Sequence, residues 1–180
     1  MVGWTEFSDF LHVDVRAAYD SVIREVLYAK MLRMGIGGNF LTTIQEFYHA
    51  TTSELEVGGY VLGTVVMELG LAQGSPLSPI LFNIYVNSCI RGLSEKAHAK
   101  SASEKVRYGL YLPLATGDLQ TNSIVSLWYA DDSAIFETDI HRLQWLIDEL
   151  CKLLADIGLR VNDGRQNSWL RLYTKNLWKI

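Results

Sequence analysis

Cysteine is nearly absent. Cys89 and Cys151 are far apart in a chain of 180 residues, with no CxxC pair and no neighbouring histidine pair. That spacing signals neither a zinc site nor a disulfide framework, and it leaves both thiols as expected core residues. Long apolar runs are missing too. The longest weakly charged stretch, Tyr60 to Ala72, is broken by Glu68 and falls far short of the ~20 residues needed to cross a bilayer. The opening MVGWTEFSDF has neither the basic segment nor the apolar segment of a secretory leader, so an intracellular protein without a membrane span is expected. Positive charge is also scarce: the chain is net −4, with a pI near 5.5. A protein that grips nucleic acid by its phosphates is usually basic. The distribution tempers this, because residues 1–90 carry four basic and nine acidic side chains, whereas 91–107 carry five against two and 160–180 five against one. Solvated helix faces account for such runs as readily as a binding surface does.

What is present is globular. With 49% hydrophobic and 20% charged residues, a chain this long can bury roughly 70% of its unfolded surface in one domain. Strand and helix patterns alternate without a repeat. Phe10 to Val15 is a β-prone run that carries Asp14 at its end and leads into helical spacing at Val22, Ile23, Val26, Leu27, Met31 and Met34, stopped by Gly35. A second helix is expected from Asn39, with Phe40, Leu41, Ile44, Phe47 and Tyr48 on its buried side. Glu54 to Val57, Gly58-Gly59 and Val61 to Leu69 read as a β-hairpin. Gly70 to Pro76 must be a loop, after which Ser78 can cap a helix whose first residue is Pro79 and which continues through Leu93. From Lys100 to Asn122 the pattern weakens into an expected insertion. Ile124 to Tyr129 and Ala134 to Phe136 read as two strands joined by a turn at Asp131 and Asp132. Asp139 then caps a helix through Leu143, Leu146, Ile147, Leu150, Leu154 and Ile157, closed by Gly158, and Leu159 to Asn162 follows as a short strand.

Three aspartates at strand ends raise an electrostatic question. Two like charges ~4 Å apart repel by about 4 kcal/mol at an effective dielectric of 20, so something positive should sit among Asp14, Asp131 and Asp132. A hard divalent cation such as Mg²⁺ suits an all-carboxylate site that keeps room for water and phosphates. Two such ions could stabilise both the attacking and the leaving oxygen of a phosphoryl displacement. The competing reading is plain: aspartate favours turns and first helical turns without any metal.

The neighbouring residues carry a family resemblance. Tyr129-Ala130-Asp131-Asp132 between apolar strands resembles the YADD box of reverse transcriptases, their motif C. Val13 to Val22, with Tyr19 five positions after Asp14, resembles motif A. GLAQGSPLSPILFN, residues 70–83, is similar to motif B, and Gly158 to Asn162 to the GLxxN end of motif D. The four boxes stand in the family's order, and the closest likeness is to the non-LTR retrotransposon type.

The resemblance implies an α+β polymerase palm: an antiparallel sheet, backed by helices, carrying Asp14 beside the Asp131-Asp132 hairpin. It implies an RNA-directed DNA polymerase using two Mg²⁺ (or Mn²⁺) ions, deoxynucleoside triphosphates, an RNA template and a DNA primer. Asp14 and Asp131 would be metal ligands and Asp132 an accessory carboxylate. Tyr19 would be the steric gate against a 2′-hydroxyl, unless it is simply a helix-face residue. Gln73 and Gly74 would approach the incoming base pair, unless they only form a turn, and Tyr129 would lie beside nucleotide or template. Arg165 stands where relatives carry lysine and is a poor proton donor, because its pKa exceeds 12; Ala72 stands where many carry arginine. The palm would span residues 1–166, leaving 167–180 unassigned. With 13 residues before Asp14, fingers and thumb would have to be supplied from elsewhere. The chain by itself is therefore expected to bind Mg²⁺ weakly and to give no primer extension. A silent retroelement remnant and an RNA-templated RNA polymerase are the competing functions, and Tyr19 weighs against the second.

Overall fold

The structure, a computed structural model, describes residues 9–49, 51–111, 123–162 and 172–173. In chain order its elements are β1 (Asp9–Asp14), α1 (Arg24–Arg33), α2 (Gly38–His49), β2 (Thr52–Val57), β3 (Tyr60–Val66), α3 (Ser78–Glu104), β4 (Leu110–Tyr111), β5 (Ser123–Ile124), β6 (Ser126–Tyr129), β7 (Asp132–Glu137), α4 (Ile140–Ala155) and β8 (Leu172–Tyr173). They form two compact units, residues 17–86 and residues 1–16 with 87–180. This is the expected α+β class. No described helix is long and apolar enough to cross a membrane.

The second of these units is built on a sheet of order β6-β7-β1-β8, antiparallel throughout. Side chains on a strand alternate between faces, and here the alternation sorts them cleanly. Leu11 and Val13 of β1, with Val15 just after it, are buried, as are Ser133, Ile135 and Glu137 of β7. Helix α4, which contacts β7, buries Leu143, Leu146, Leu150 and Leu154 along one stripe. Asp139 caps it as expected, its carboxylate accepting from the His141 and Arg142 amides at 2.9 Å each. Those two bonds hold the Asp139 carboxyl below its usual range. Burial of Glu137 is compensated by the Arg142 guanidinium at 3.0 Å and by the Gly109 and Thr138 amides.

Several expectations need correction. The helix expected to fade before Lys100 runs to Glu104, because Leu93 and Ala97 are buried and Arg91–Glu95 and Lys100–Glu104 pair one turn apart on its surface. The expected insertion therefore begins as helix, β4 pairs with β5 beyond it, and 112–122 lie outside the described residues. The strand expected over 124–129 is interrupted at Val125, whose carbonyl accepts from the Phe136 amide. Cys151 is exposed and Cys89 alone is buried; the Cys89 thiol donates to the Leu153 carbonyl at 3.2 Å.

In the other unit, α1 ends at Arg33, two residues before Gly35, which takes the left-handed φ of +81 expected of a helix stop. Helix α2 buries Leu41, Ile44 and Tyr48, but Phe40 and Phe47 are 56% and 51% exposed. A twelve-residue helix offers one narrow contact stripe, and these two rings flank it. The β2–β3 hairpin forms around Gly58-Gly59, with an irregularity between Leu55 and Glu56, and all its side chains are exposed. Ser78 does not act as the expected cap. It lies within α3, and its hydroxyl donates to the Ala72 carbonyl at 2.5 Å, while the Leu77 amide donates to the Ser75 hydroxyl at 3.3 Å.

Candidate metal centre and nucleotide site

The turn between β6 and β7 decides where the aspartates fall. Tyr129 pairs with Asp132, so the loop is the two residues Ala130 and Asp131. Asp132 is thus the first residue of β7 rather than the second residue of the turn. Ala130 adopts φ +55, a left-handed conformation that costs a non-glycine residue about 1–2 kcal/mol. Strain of this kind persists where the surroundings impose it. Ala130→Gly should therefore raise stability by about 0.5–1 kcal/mol after the entropy cost of glycine is deducted, and Ala130→Val should lower it by more than about 1 kcal/mol. Urea unfolding of the two variants checks these opposite signs.

Register then brings the acidic residues together. Asp14 of β1 is directly opposite Asp132 of β7, which places their Cα atoms ~4.5–5.5 Å apart. Since Val13 and Ser133 face the core, Asp14 and Asp132 share the other, open face of the sheet. Tyr129 joins them across the next ladder and is 84% exposed. Asp131 stands one residue away, at the hairpin tip. The two like charges on this face repel, but the Asp132 side chain is 63% exposed, so solvent holds the repulsion to about 1 kcal/mol or less. Each has a polar partner: Asn162 Nδ2 donates to Asp14 Oδ2 at 3.1 Å, and His12 Nε2 lies 3.3 Å from Asp132 Oδ1. His12 was not among the residues expected at the site, although its position two before Asp14 on one strand puts it on the same face. Asn162 was read only as the end of a motif.

Among the described residues no group of three or more His, Cys, Asp or Glu side chains is placed so that together they could hold a metal ion, so Asp14, Asp131 and Asp132 do not form a three-carboxylate cluster. The donors fit a different kind of site. Mg²⁺ is commonly held by one or two carboxylates, with waters and substrate phosphates completing its shell, and adjoining carboxylates on an open face offer that partial set.

Tyr19, Gln73 and Gly74, also expected at the site, lie in the unit of residues 17–86. Tyr19 is half-buried in the turn before α1, its ring 5.3 Å from that of Phe82 and tilted by 38°. It is therefore not on a helix face. Its carbonyl accepts from the Leu71 amide and the Val22 carbonyl from the Gly70 amide, both at 2.9 Å, so the turn after motif A is tied to the entry of the motif B loop. Gly70 is obligatory there: at φ +84, a Cβ would come within 3.0 Å of the Asp20 backbone. Gln73 is exposed and donates to Asp20 Oδ1 at 3.1 Å, and Gly74 has φ +82 with open space around it. Arg165 lies outside the described residues.

Beneath this loop sits Arg24, which sequence reasoning had not singled out. It is 7% exposed. Its guanidinium donates to the carbonyls of Tyr48 (2.8 Å), Met67 (2.6 Å), Leu69 (3.1 Å) and Gly70 (2.9 Å), and it stacks 5.1 Å from the Tyr48 ring. One side chain thereby closes the C-terminal end of α2 and fixes the backbone that leads into the loop.

Fold and open carboxylate face together define a polymerase palm, and a family model described as "Reverse transcriptase (RNA-dependent DNA polymerase)" matches residues 8–166. The chain belongs to the reverse transcriptase family, on its non-LTR retrotransposon branch. It is similar to a retrovirus-related Pol polyprotein from the type-2 retrotransposable element R2DM of Drosophila melanogaster, 28% identical over 151 residues, or 84% of this chain and 13% of that protein. A Pol polyprotein from the type-1 element R2 of Popillia japonica is 26% identical over 125 residues, 69% of this chain and 18% of its own length. The corresponding R2 protein of Bradysia coprophila is 24% identical over 161 residues, 88% of this chain and 16% of its own. The chain thus spans less than a fifth of these relatives.

Proposed function

We propose that residues 1–166 are the palm of an RNA-directed DNA polymerase that adds deoxynucleotides to a primer 3′-hydroxyl on an RNA template. The observation that carries this reading is the register that sets Asp14 opposite Asp132, with Asp131 at the adjoining tip. Asp14 and Asp131 hold divalent ions and Asp132 adds negative charge beside them. When bound, a pair of Mg²⁺ or Mn²⁺ ions supplies charge stabilisation to the attacking and leaving oxygens. The bond formed is between the primer 3′-oxygen and the α-phosphorus, and the bond broken releases pyrophosphate. Positioning supplies much of the remaining acceleration. Tyr19 sets the sugar preference, Gln73 and Gly74 meet the incoming base pair, and Tyr129 lies beside nucleotide or template, with Arg165 as a further cationic contact. The net charge of −4 means that the phosphate grip comes largely from other segments of a working polypeptide.

Primer extension tests the reading, with this palm joined to the flanking segments of an R2-type Pol polyprotein and supplied with Mg²⁺, deoxynucleotides and an RNA template. Template-directed product supports it. A folded fusion that binds primer and template yet forms no product contradicts it.

A further inference from the structure

Asn162 grips Asp14 at two points. Its backbone amide donates to the Asp14 carbonyl at 2.9 Å, and its side-chain Nδ2 donates to Asp14 Oδ2 at 3.1 Å. The segment that delivers it runs antiparallel along the end of β1: the Arg16 amide donates to the Arg160 carbonyl at 2.8 Å, and Val15 bridges Val161. Leu159, fully buried, anchors that segment in the core. With its backbone fixed in this way, the Asn162 amide reaches the carboxylate in few rotamers, and its nitrogen must face Asp14, since a carboxylate only accepts.

We propose that Asn162 is a positioning residue that holds Asp14 Oδ2 and leaves Oδ1 available to a divalent cation. This rests on the metal-centre reading above. The residue type suits the task. A lysine here would neutralise the carboxylate and weaken its hold on a cation, and an aspartate would repel it, whereas an amide fixes the geometry and leaves the full negative charge in place. Partners of this kind commonly change metal affinity 10–100-fold when they are lost.

The test is Mn²⁺-induced broadening of amide signals in the ¹⁵N-labelled 180-residue chain. In the native protein, residues 13–15 and 131–133 should broaden first; if they do not, the metal-centre reading itself fails. In Asn162→Leu, which keeps the side-chain shape and removes the donor, the Mn²⁺ concentration for half-broadening should rise about tenfold. Cys89→Ala, a core change away from Asp14, should shift it less than twofold, which separates positioning from general loss of stability. A folded Asn162→Leu protein that titrates within twofold of the native one overturns the proposal. If Asn162→Leu loses signal dispersion, Asn162→Ser decides instead: its hydroxyl is too short to reach Oδ2, so a shift of at least threefold is expected, and none overturns the proposal.

Discussion

Asp131→Asn or Asp14→Asn is expected to cut primer extension by at least about 10³-fold in any preparation of this palm that extends a primer. A metal ion contributes several kcal/mol of charge stabilisation to the displacement, and about 4 kcal/mol corresponds to a thousandfold in rate. Asp132→Asn should cost less, because Asp132 contributes charge rather than the principal ligation. Stability should move the other way. Asp14 and Asp132 face each other across the ladder, so neutralising Asp14 relieves a solvent-screened repulsion of about 1 kcal/mol or less at the loss of part of its bond with Asn162. Extension assays paired with urea unfolding read both effects. Lost extension with unchanged or raised stability marks residues kept for function. Retention of more than a tenth of the native rate in Asp131→Asn contradicts the assignment.

Arg24→Met should be the most damaging single change to the fold. The guanidinium satisfies four backbone carbonyls, those of Tyr48, Met67, Leu69 and Gly70, from a site that is 7% exposed. Methionine fills the volume and satisfies none of them. The Gly70 carbonyl is buried and loses its donor, those of Met67 and Leu69 are part-buried and partly reached by water, and that of Tyr48 keeps the Thr51 amide; at about 1–3 kcal/mol for a buried acceptor and less for the others, a net loss of about 3–5 kcal/mol is expected. That is a third or more of the stability of a typical domain. Arg24→Lys should recover part of the loss, as one ammonium cannot span the four carbonyls. Equilibrium unfolding in urea measures this, and a loss below about 1 kcal/mol in Arg24→Met would show that the four bonds do not hold the loop base.

Much of the site was legible because it depends on local pattern. Alternation along 10–15 puts Asp14 on a strand, and the helical stripe of α4 and its Asp139 cap read directly from spacing. The hairpin was legible but one residue out of phase. Two aspartates in succession both suit a turn, and only the positive φ of Ala130 and the buried side chains of Ser133, Ile135 and Glu137 set the phase that puts Asp132 opposite Asp14. Arg24 was not legible, because its acceptors lie 24 to 46 residues further along the chain and none is a side chain. Nor was the grip of Asn162 on Asp14, separated by 148 residues. Phe40 and Phe47 misled for the opposite reason: helical spacing identifies a stripe, but its width depends on what packs against it.

Anomalous diffraction from crystals of the 180-residue chain grown with Mn²⁺ and a deoxynucleoside triphosphate tests most directly whether the open face of β1 and β7 is a metal centre. Mn²⁺ peaks are expected within about 2.5 Å of carboxylate oxygens of Asp14 and Asp131, with triphosphate oxygens completing the shell, and should be lost in Asp14→Asn. Nucleotide-bound crystals with no peak at these carboxylates, or with Mn²⁺ held elsewhere and unaffected by Asp14→Asn, would contradict it.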